Sequence, residues 1–470
     1  MRCNDLVRLL ILVGTLCIAT LLTAQNAPVP PATSYLSPVL ITEIPDSTVT
    51  ADAHPLSGGQ SLGIGSWGPS HSFLVPSLRV VETLDSNPLL LDSSSGGYRG
   101  FTDLVGNVQL LQNLGQSAEL RYSGALRFDT IARVQGYSQF TNVHSAELAK
   151  SVRHKSLKLL LDDEFQYSQN SSLGAAGMEG LGAMVTQASQ WNGLSNLQLG
   201  SISLRPDILP DQSILTERAG RVANTALIEL DANLHRRDTL TLAASYGLLH
   251  FFSSELTDSQ QAQVIGGYNR LLTSRDSVAL EGAFARYDYQ GSVGSISTEY
   301  LSALYARRIS GRSSIEVGAG PQFTQSLILH VNSQYLGWQA RGSVHYRLRR
   351  LNLSAQGSRS ITGGAGVFDG ATTTIGQASA DSVLSRYTSM SFAFGVSRNQ
   401  DLESPQRYNT QFLRVAVNRK VSRYTNGFLS YDLEHQTTAS GCTGLTCANT
   451  GLRNVFGLGF SWNYRPISVE

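Results

Sequence analysis

Charge is scarce in this chain. Of its 470 residues only 15% are Asp, Glu, Lys or Arg, and 36 basic side chains stand against 35 acidic ones. A disordered chain needs dense charge and little apolar content, whereas 41% of these residues are hydrophobic. The near-zero net charge also removes the basic face of a nucleic-acid binder, so no nucleic-acid partner is expected. Past the first two dozen residues, no apolar run reaches the roughly 18 residues of a membrane helix. There is no Gly-Lys phosphate loop, no H-E-x-x-H and no G-x-S-x-G nucleophile turn. A lipase-like rim would need a Ser and a His to converge, and His144, His250, His330 and His435 are only scattered near strand ends. The reading is a protein that is not an enzyme and takes no cofactor and no metal. Glycine is plentiful by contrast, at 44 residues. A large, Gly- and Ser-rich, weakly charged chain fits an all-β fold.

Cysteine is nearly missing too, with 4 in the chain. Arg2 and Arg8 flank a basic start, Leu9–Leu22 is apolar, and Thr23-Ala24 leads into a polar, Pro-rich stretch. That order is a secretory signal peptide cleaved near Ala24. Leu16 before Cys17 is too bulky for a lipid-anchor processing site. Loss of residues 1–24 removes Arg2, Arg8 and Asp5, leaving 34 charges of each sign, and removes Cys3 and Cys17. Cys442 and Cys447 are left in the loop GCTGLTCANTG. An oxidising compartment favours a disulfide there. A metal would need more ligands, and His435 is the sole neighbour.

Residues 25–76, with seven prolines from Pro28 to Pro69, read as a poorly ordered periplasmic leader. From about residue 77 to 464 the side chains alternate with period 2, the signature of strands. In Trp338–Leu348 one face carries Trp338, Ala340, Gly342, Val344, Tyr346 and Leu348. The other carries Gln339, Arg341, Ser343, His345 and Arg347. Ala118–Phe128, Thr388–Asn399 and the closing Phe456–Tyr464 strand repeat the pattern. Arg-bearing turns recur at Arg237, Arg275, Arg312, Arg350, Arg386 and Arg423, with gaps of 38, 37, 38, 36 and 37. A constant period marks a repeated unit, here two strands, one tight turn and one longer loop.

Propeller blades use strands nearer 5–6 residues, and a soluble sandwich is the bland alternative. Strands of ten or more residues at a tilt near 45° cross a bilayer, where a sheet survives only if it closes on itself. The expected fold is therefore all-β, a transmembrane antiparallel up-and-down meander β-barrel of 18 strands, with 16 as the alternative. Even counts are usual, and both chain ends then fall in the periplasm, with 465–470 as a short tail.

A barrel of that size holds an aqueous channel. Its expected pore-lining residues are Glu119, Arg121, Arg127, Glu229, Asp231, Gln339, Arg341, His345, Arg347, Asp432 and Glu434, each on the polar face of its strand. The blander alternative is that they satisfy one another as ion-pair ladders. The long connection 169–220 is expected to fold into the mouth as a constriction, with Glu179, Arg205, Asp207, Asp211, Glu217 and Arg218 supplying charge. Gly363-Gly364-Ala365-Gly366 reads as a loop tip.

VVETLDSNPLLL (80–91), AASYGLLHFF (243–252), VGAGPQF (317–323), YRLRRLNLSAQGSRSITGGAGVF (346–368) and the aromatic closing strand carry a family likeness. Residues 78–464 resemble uncharacterised outer-membrane β-barrel proteins of the porin type from Gram-negative, acidobacterium-like genomes. The resemblance implies outer-membrane lipid around the barrel. Its motifs are structural and name no substrate, and six residues follow Tyr464 where such chains commonly end on an aromatic. The function expected is passive passage of small hydrophilic solutes. The alternatives are a conduit for exported polysaccharide, with a lumen of one charge sign, or a plugged structural or adhesive barrel.

Overall fold

The computed structural model describes residues 72–87, 99–113, 117–129, 140–154, 156–168, 214, 220–235, 237–252, 256–290, 294–328, 331–422, 424–438, 451–464 and 467–469. Nearly all of them are strand. The elements are β1 (Ser72–Asp85), β2 (Arg99–Asn113), β3 (Ser117–Asp129), β4 (Phe140–His154), β5 (Leu157–Ser168) and β6 (Arg221–His235). There follow β7 (Asp238–Phe251), β8 (Asp258–Leu271), β9 (Asp276–Gln290), β10 (Gly294–Ser310), β11 (Ser313–Ile328) and β12 (Val331–Arg347). Then come β13 (Leu351–Thr362), β14 (Ala371–Ser385), β15 (Thr388–Asp401), β16 (Arg407–Lys420), β17 (Thr425–Thr438), β18 (Gly451–Asn463) and a short β19 (Ile467–Val469).

Each strand from β1 to β17 pairs antiparallel with the next. The pairing then returns on itself, for β18 pairs antiparallel with β1 from Asn463↔Ser77 to Val455↔Asp85. The all-β antiparallel meander expected from the alternation is the observed fold. Ring pairing leaves no strand edge open between first and last strand, which removes the aggregation liability of an exposed edge.

Arg237, Arg275, Arg312, Arg350 and Arg386 sit where expected, at the short connections, while Arg423 lies outside the described residues. Leu271 N donates to Arg237 O, Arg308 N to Arg275 O, Arg347 N to Arg312 O and Val383 N to Arg350 O. Each turn carbonyl is thereby tied to the neighbouring hairpin. Three of these turns follow a bulge that leaves one residue unpaired: Leu234, Ile309 or Leu384. All three are apolar and exposed. A bulge adds twist beside the turn.

Two boundaries differ from the sequence reading. β1 starts at Ser72, inside the segment read as leader, and Ile467–Val469 of the expected tail pairs with Ser72–Leu74. Pro76 lies within β1. Val108 of β2 lies opposite it, but on the β18–β19 side it falls between the two blocks of pairing, at Ser72–Leu74 and Ser77–Asp85, where a missing N–H costs no ladder bond, and its carbonyl accepts from Tyr464 N at 3.1 Å.

The two faces of the sheet have opposite chemistry. On one, large apolar side chains are exposed, as at Leu242, Leu280, Leu301, Leu458 and Phe460. On the other, buried residues are largely polar: Arg79, Asp85, Glu281, Thr324, Asn399 and Gln436 are all below 2% exposed. Strand parity generates this, because successive side chains point to opposite faces. In β6, Arg221, Ala223, Thr225, Leu227 and Glu229 are buried while Ala226, Ile228 and Leu230 are exposed. We call the polar, buried face concave and the apolar, exposed face convex.

The wall is interrupted at one place. β12 and β13 pair only from Arg347↔Asn352 to Ala340↔Arg359. Above that point β12 pairs with β11 and β13 pairs with β14.

Candidate functional site

The concave face holds two charged clusters built by register. Glu434 lies directly opposite Arg453, and Asp432 directly opposite Arg414. Arg453 reaches both neighbours: its Nε and Nη2 donate to Asp85 Oδ2 at 2.9 and 2.5 Å, and its Nη1 to Glu434 Oε2 at 3.3 Å. Arg414 Nε donates to Asp432. Arg79 Cζ lies 5.6 Å from the Phe428 ring centroid. The second cluster spans β9 to β12. Arg341 Nη2 donates to Glu281 Oε2 at 3.0 Å, its Nε is 3.4 Å from Glu316 Oε1, and Tyr300 Oη donates to Glu281 Oε1 at 2.9 Å.

These side chains are covered. The Arg453 side chain is 3% exposed and those of Asp85 and Glu434 are 1%. Isolated charges cannot be held so dry, but paired ones with good hydrogen bonds can. Small polar residues fill further concave positions. Gln322 Nε2 donates to Thr298 Oγ1 at 2.9 Å, Thr373 Oγ1 to Asn399 Oδ1 at 2.8 Å, and Thr410 Oγ1 to Gln436 Oε1 at 2.9 Å.

Between β13 and β14 the chain turns inward. Gly364–Gly366 makes a single 3-10 turn. Gly364, Gly366 and Gly370 have φ of 76°, 76° and 94°, a region open to Gly at little cost. Space requires Gly as well: a Cβ at Gly366 would stand 2.2 Å from Phe251 Cε2, and one at Gly370 would stand 2.1 Å from Ile296 Cδ1. Thr257 N, beyond β7, donates to Gly366 O at 2.9 Å. Tyr287 Oη of β9 reaches Ile361 O at 3.4 Å, a carbonyl that β12 does not pair.

The loop packs on apolar collars at this end. Phe368 joins Ile214, Ala371 and Tyr408, with Phe368 and Tyr408 ring centroids 5.4 Å apart. Tyr287, Tyr289 and Ile296 pack with Ala285 and Leu402. Phe251 packs with Ala223 and Leu249. Burying each such aromatic contributes about 2–3 kcal/mol, so the inward conformation of the loop is held by several side chains at once.

The candidate residues from the sequence distribute as follows. Asp432, Glu434, Arg341, Gln339 and Glu229 lie on the concave face, the first two and Arg341 within the clusters above. Asp231 accepts from Thr241 Oγ1 at 2.7 Å. His345 shares the Arg341 face, and Arg347 is exposed next to the β12–β13 turn. The side chains of Glu119, Arg121 and Arg127 lie outside the described residues, although the backbone of Arg127 is paired with Asp103. Glu179, Arg205, Asp207, Asp211, Glu217 and Arg218 lie outside them too, as do Cys442 and Cys447.

Several concave-face groups were not named from sequence: Arg79, Asp85, Glu281, Glu316, Arg414 and Arg453. Arg453 was within reach, since it continues the Ser461, Gly459, Gly457 face by parity. The inward fold of 363–370 gives no sequence signal beyond its glycines, and a plain loop tip was expected there. Contacts with Phe251, Tyr287 and Ile296, far away along the chain, decide it. An aqueous channel was expected, with mutual ion pairing as the alternative for individual residues; the two clusters are closely paired and covered.

No family model and no curated protein matches the sequence. Solved structures give distant likenesses. The outer membrane protein OpdK of Pseudomonas aeruginosa is 9% identical with a TM-score of 0.41, covering 85% of this chain and 99% of that one. OccK2 (OpdF) of the same organism, solved in complex with glucuronate, gives 8% and 0.43, covering 85% and 98%. OccAB3 of Acinetobacter baumannii gives 8% and 0.41, covering 84% and 99%. Likenesses of this size say nothing about the chemistry of the concave face.

Proposed function

We propose that the chain is an outer-membrane β-barrel channel for small hydrophilic solutes, with its loop end narrowed by residues 363–370. The observation that carries this is the reversed polarity of the sheet. Apolar side chains face outward and exposed, while ion pairs and hydroxyl rows face inward. In water such a surface would aggregate; in lipid it is the low-energy arrangement, because charge on the lipid face costs about 2–4 kcal/mol at the midplane. Strands of 12 to 17 residues tilted near 45° rise roughly 28–40 Å, enough to cross the hydrocarbon core. Convex-face aromatics support it at both levels: Tyr268, Tyr346 and Trp462 towards the turns, Tyr167, Phe252 and Trp338 towards the loops. Such girdles sit at membrane interfaces.

The concave face carries both signs in close pairs, which supports small solutes over an exported polysaccharide that calls for one sign. The inward loop supports a narrow or closed resting state over a freely open pore. Refolded protein in planar bilayers tests the reading. Stepwise conductance at or above the level of a single narrow pore is expected. A barrel that inserts with a heat-modifiable gel shift yet never conducts would instead be a plugged structural protein. Proteolytic removal near Ala24 and recovery of the chain in the outer-membrane fraction test the location.

A further inference from the structure

The convex face bears a cationic patch that the channel reading does not use. At the loop end, register aligns Arg359 of β13 with Thr374 of β14, Thr374 with Arg398 of β15, and Arg398 with Asn409 of β16. One step higher, Thr372 pairs with Gln400 and Gln400 with Arg407. Neighbouring strands are 4.7–4.9 Å apart, so Arg359 and Arg398 stand roughly 10 Å apart across Thr374. That gap suits a phosphate gripped from two sides.

Among the described residues none of Arg359, Arg398 and Arg407 makes an ion pair, whereas Arg286 at the same level has Asp288 at 2.9 Å and His250 has Asp258 at 2.5 Å. The carboxylates at the β15–β16 connection are engaged elsewhere. Asp401 accepts from Glu403 N and Ser404 N, and Glu403 accepts from Ser326 Oγ at 2.9 Å. Arg359 is held ready: its Cζ lies 4.8 Å from the Trp338 ring centroid, its Nη1 is 3.4 Å from Thr374 Oγ1, and its Nε is buried without a hydrogen-bond partner. Unpaired cations beside a lipid-facing band are unfavourable unless something anionic meets them.

A second feature lies directly below. Gly357 pairs with Gly376, Ala355 with Ala378, and Leu353 with Ala380, making a floor of mostly small residues. Val396, Phe394 and Phe392 flank it on β15; Gly342, Val344 and Tyr346 flank it on β12. A shallow apolar trough runs from the arginine pair into the band.

We propose that this patch binds the phosphorylated headgroup of a membrane lipid, with one acyl chain lying along the trough. The proposal rests on the membrane-barrel reading. Charge-assisted hydrogen bonds from arginine to phosphate, several of them bidentate, supply the affinity, and Trp338 orients one guanidinium.

The test uses the full chain, purified in detergent and shown by its heat-modifiable gel shift to be a folded barrel. Bisphosphorylated lipid A, the same lipid after phosphatase treatment, and inorganic phosphate are titrated, with bound lipid read by native mass spectrometry. Retention of phosphorylated lipid is expected, weakened at least about tenfold in Arg359→Gln/Arg398→Gln, kept in Arg359→Lys/Arg398→Lys, and unchanged in Arg286→Gln. Equal retention of the dephosphorylated lipid, unchanged retention in the double Gln variant, or complete displacement by millimolar inorganic phosphate would overturn the lipid site. Failure of the gel shift would instead sink the barrel reading beneath it.

Discussion

Arg453→Met is the sharpest perturbation. Arg453 bridges the point where the last strand meets the first, donating to Asp85 of β1 and Glu434 of β17. Met preserves much of the volume but removes the charge and these donations. Two carboxylates that are 1% exposed then lose the arginine that bridges them. Removing one member of a buried ion pair costs about 3–5 kcal/mol, mostly as the penalty on the charge left behind. The concave face of the proposed channel lets some water in, so the lower end, about 3 kcal/mol, is the expected loss. Guanidinium titration in detergent micelles, followed by the folded band on an unheated gel, measures it as a fall in midpoint at constant slope. A rescue is expected as well: Asp85→Asn/Glu434→Gln added to Arg453→Met replaces stranded charges by neutral groups and should restore most of the loss. A single-variant loss below about 1 kcal/mol, or no rescue in the triple variant, would show that these groups are solvated and that the interior is wide.

Replacing 363–370 by a short turn should raise single-channel conductance several-fold while leaving the gel shift intact, and an unchanged trace would remove the loop from the pore. Gly366→Ala is a milder version: its Cβ would meet Phe251 at 2.2 Å, so the loop must move, and more frequent openings are expected in bilayer recordings. Leu458→Arg puts a cation at the middle of β18 on the exposed convex face, with an expected loss of about 2–4 kcal/mol in lipid vesicles. A neutral outcome there would argue against lipid contact. Cys442 and Cys447 should resist thiol labelling until reductant is added, and immediate labelling of both would exclude the disulfide.

Alternation alone carried much of this fold. Trp338–Tyr346 and Phe456–Trp462 show their apolar face at every second residue, and no tertiary information is needed to orient them. The arginine turns were legible for the same reason, since a two-strand repeat places its turns at a constant interval. Ser72–Pro76 was read as the end of the Pro-rich leader; a proline in a strand is tolerated only at particular points of a ladder, and those points depend on which strand lies alongside. Glu281 and Arg341 could each be assigned a face from their own strands. That they meet requires β9 and β12 to stand in the same wall with this register.

The order of side chains along the chain determined a meander with an apolar face and a polar face, because a strand's period is local and each residue reports its own side. Closure of β18 on β1, the dry pairing of Arg453 with Asp85, the inward turn of 363–370 and the grouping of Arg359 with Arg398 were decided only by the folded ring. Each depends on contacts between residues distant along the chain, and those distances are set by strand order, register and curvature together.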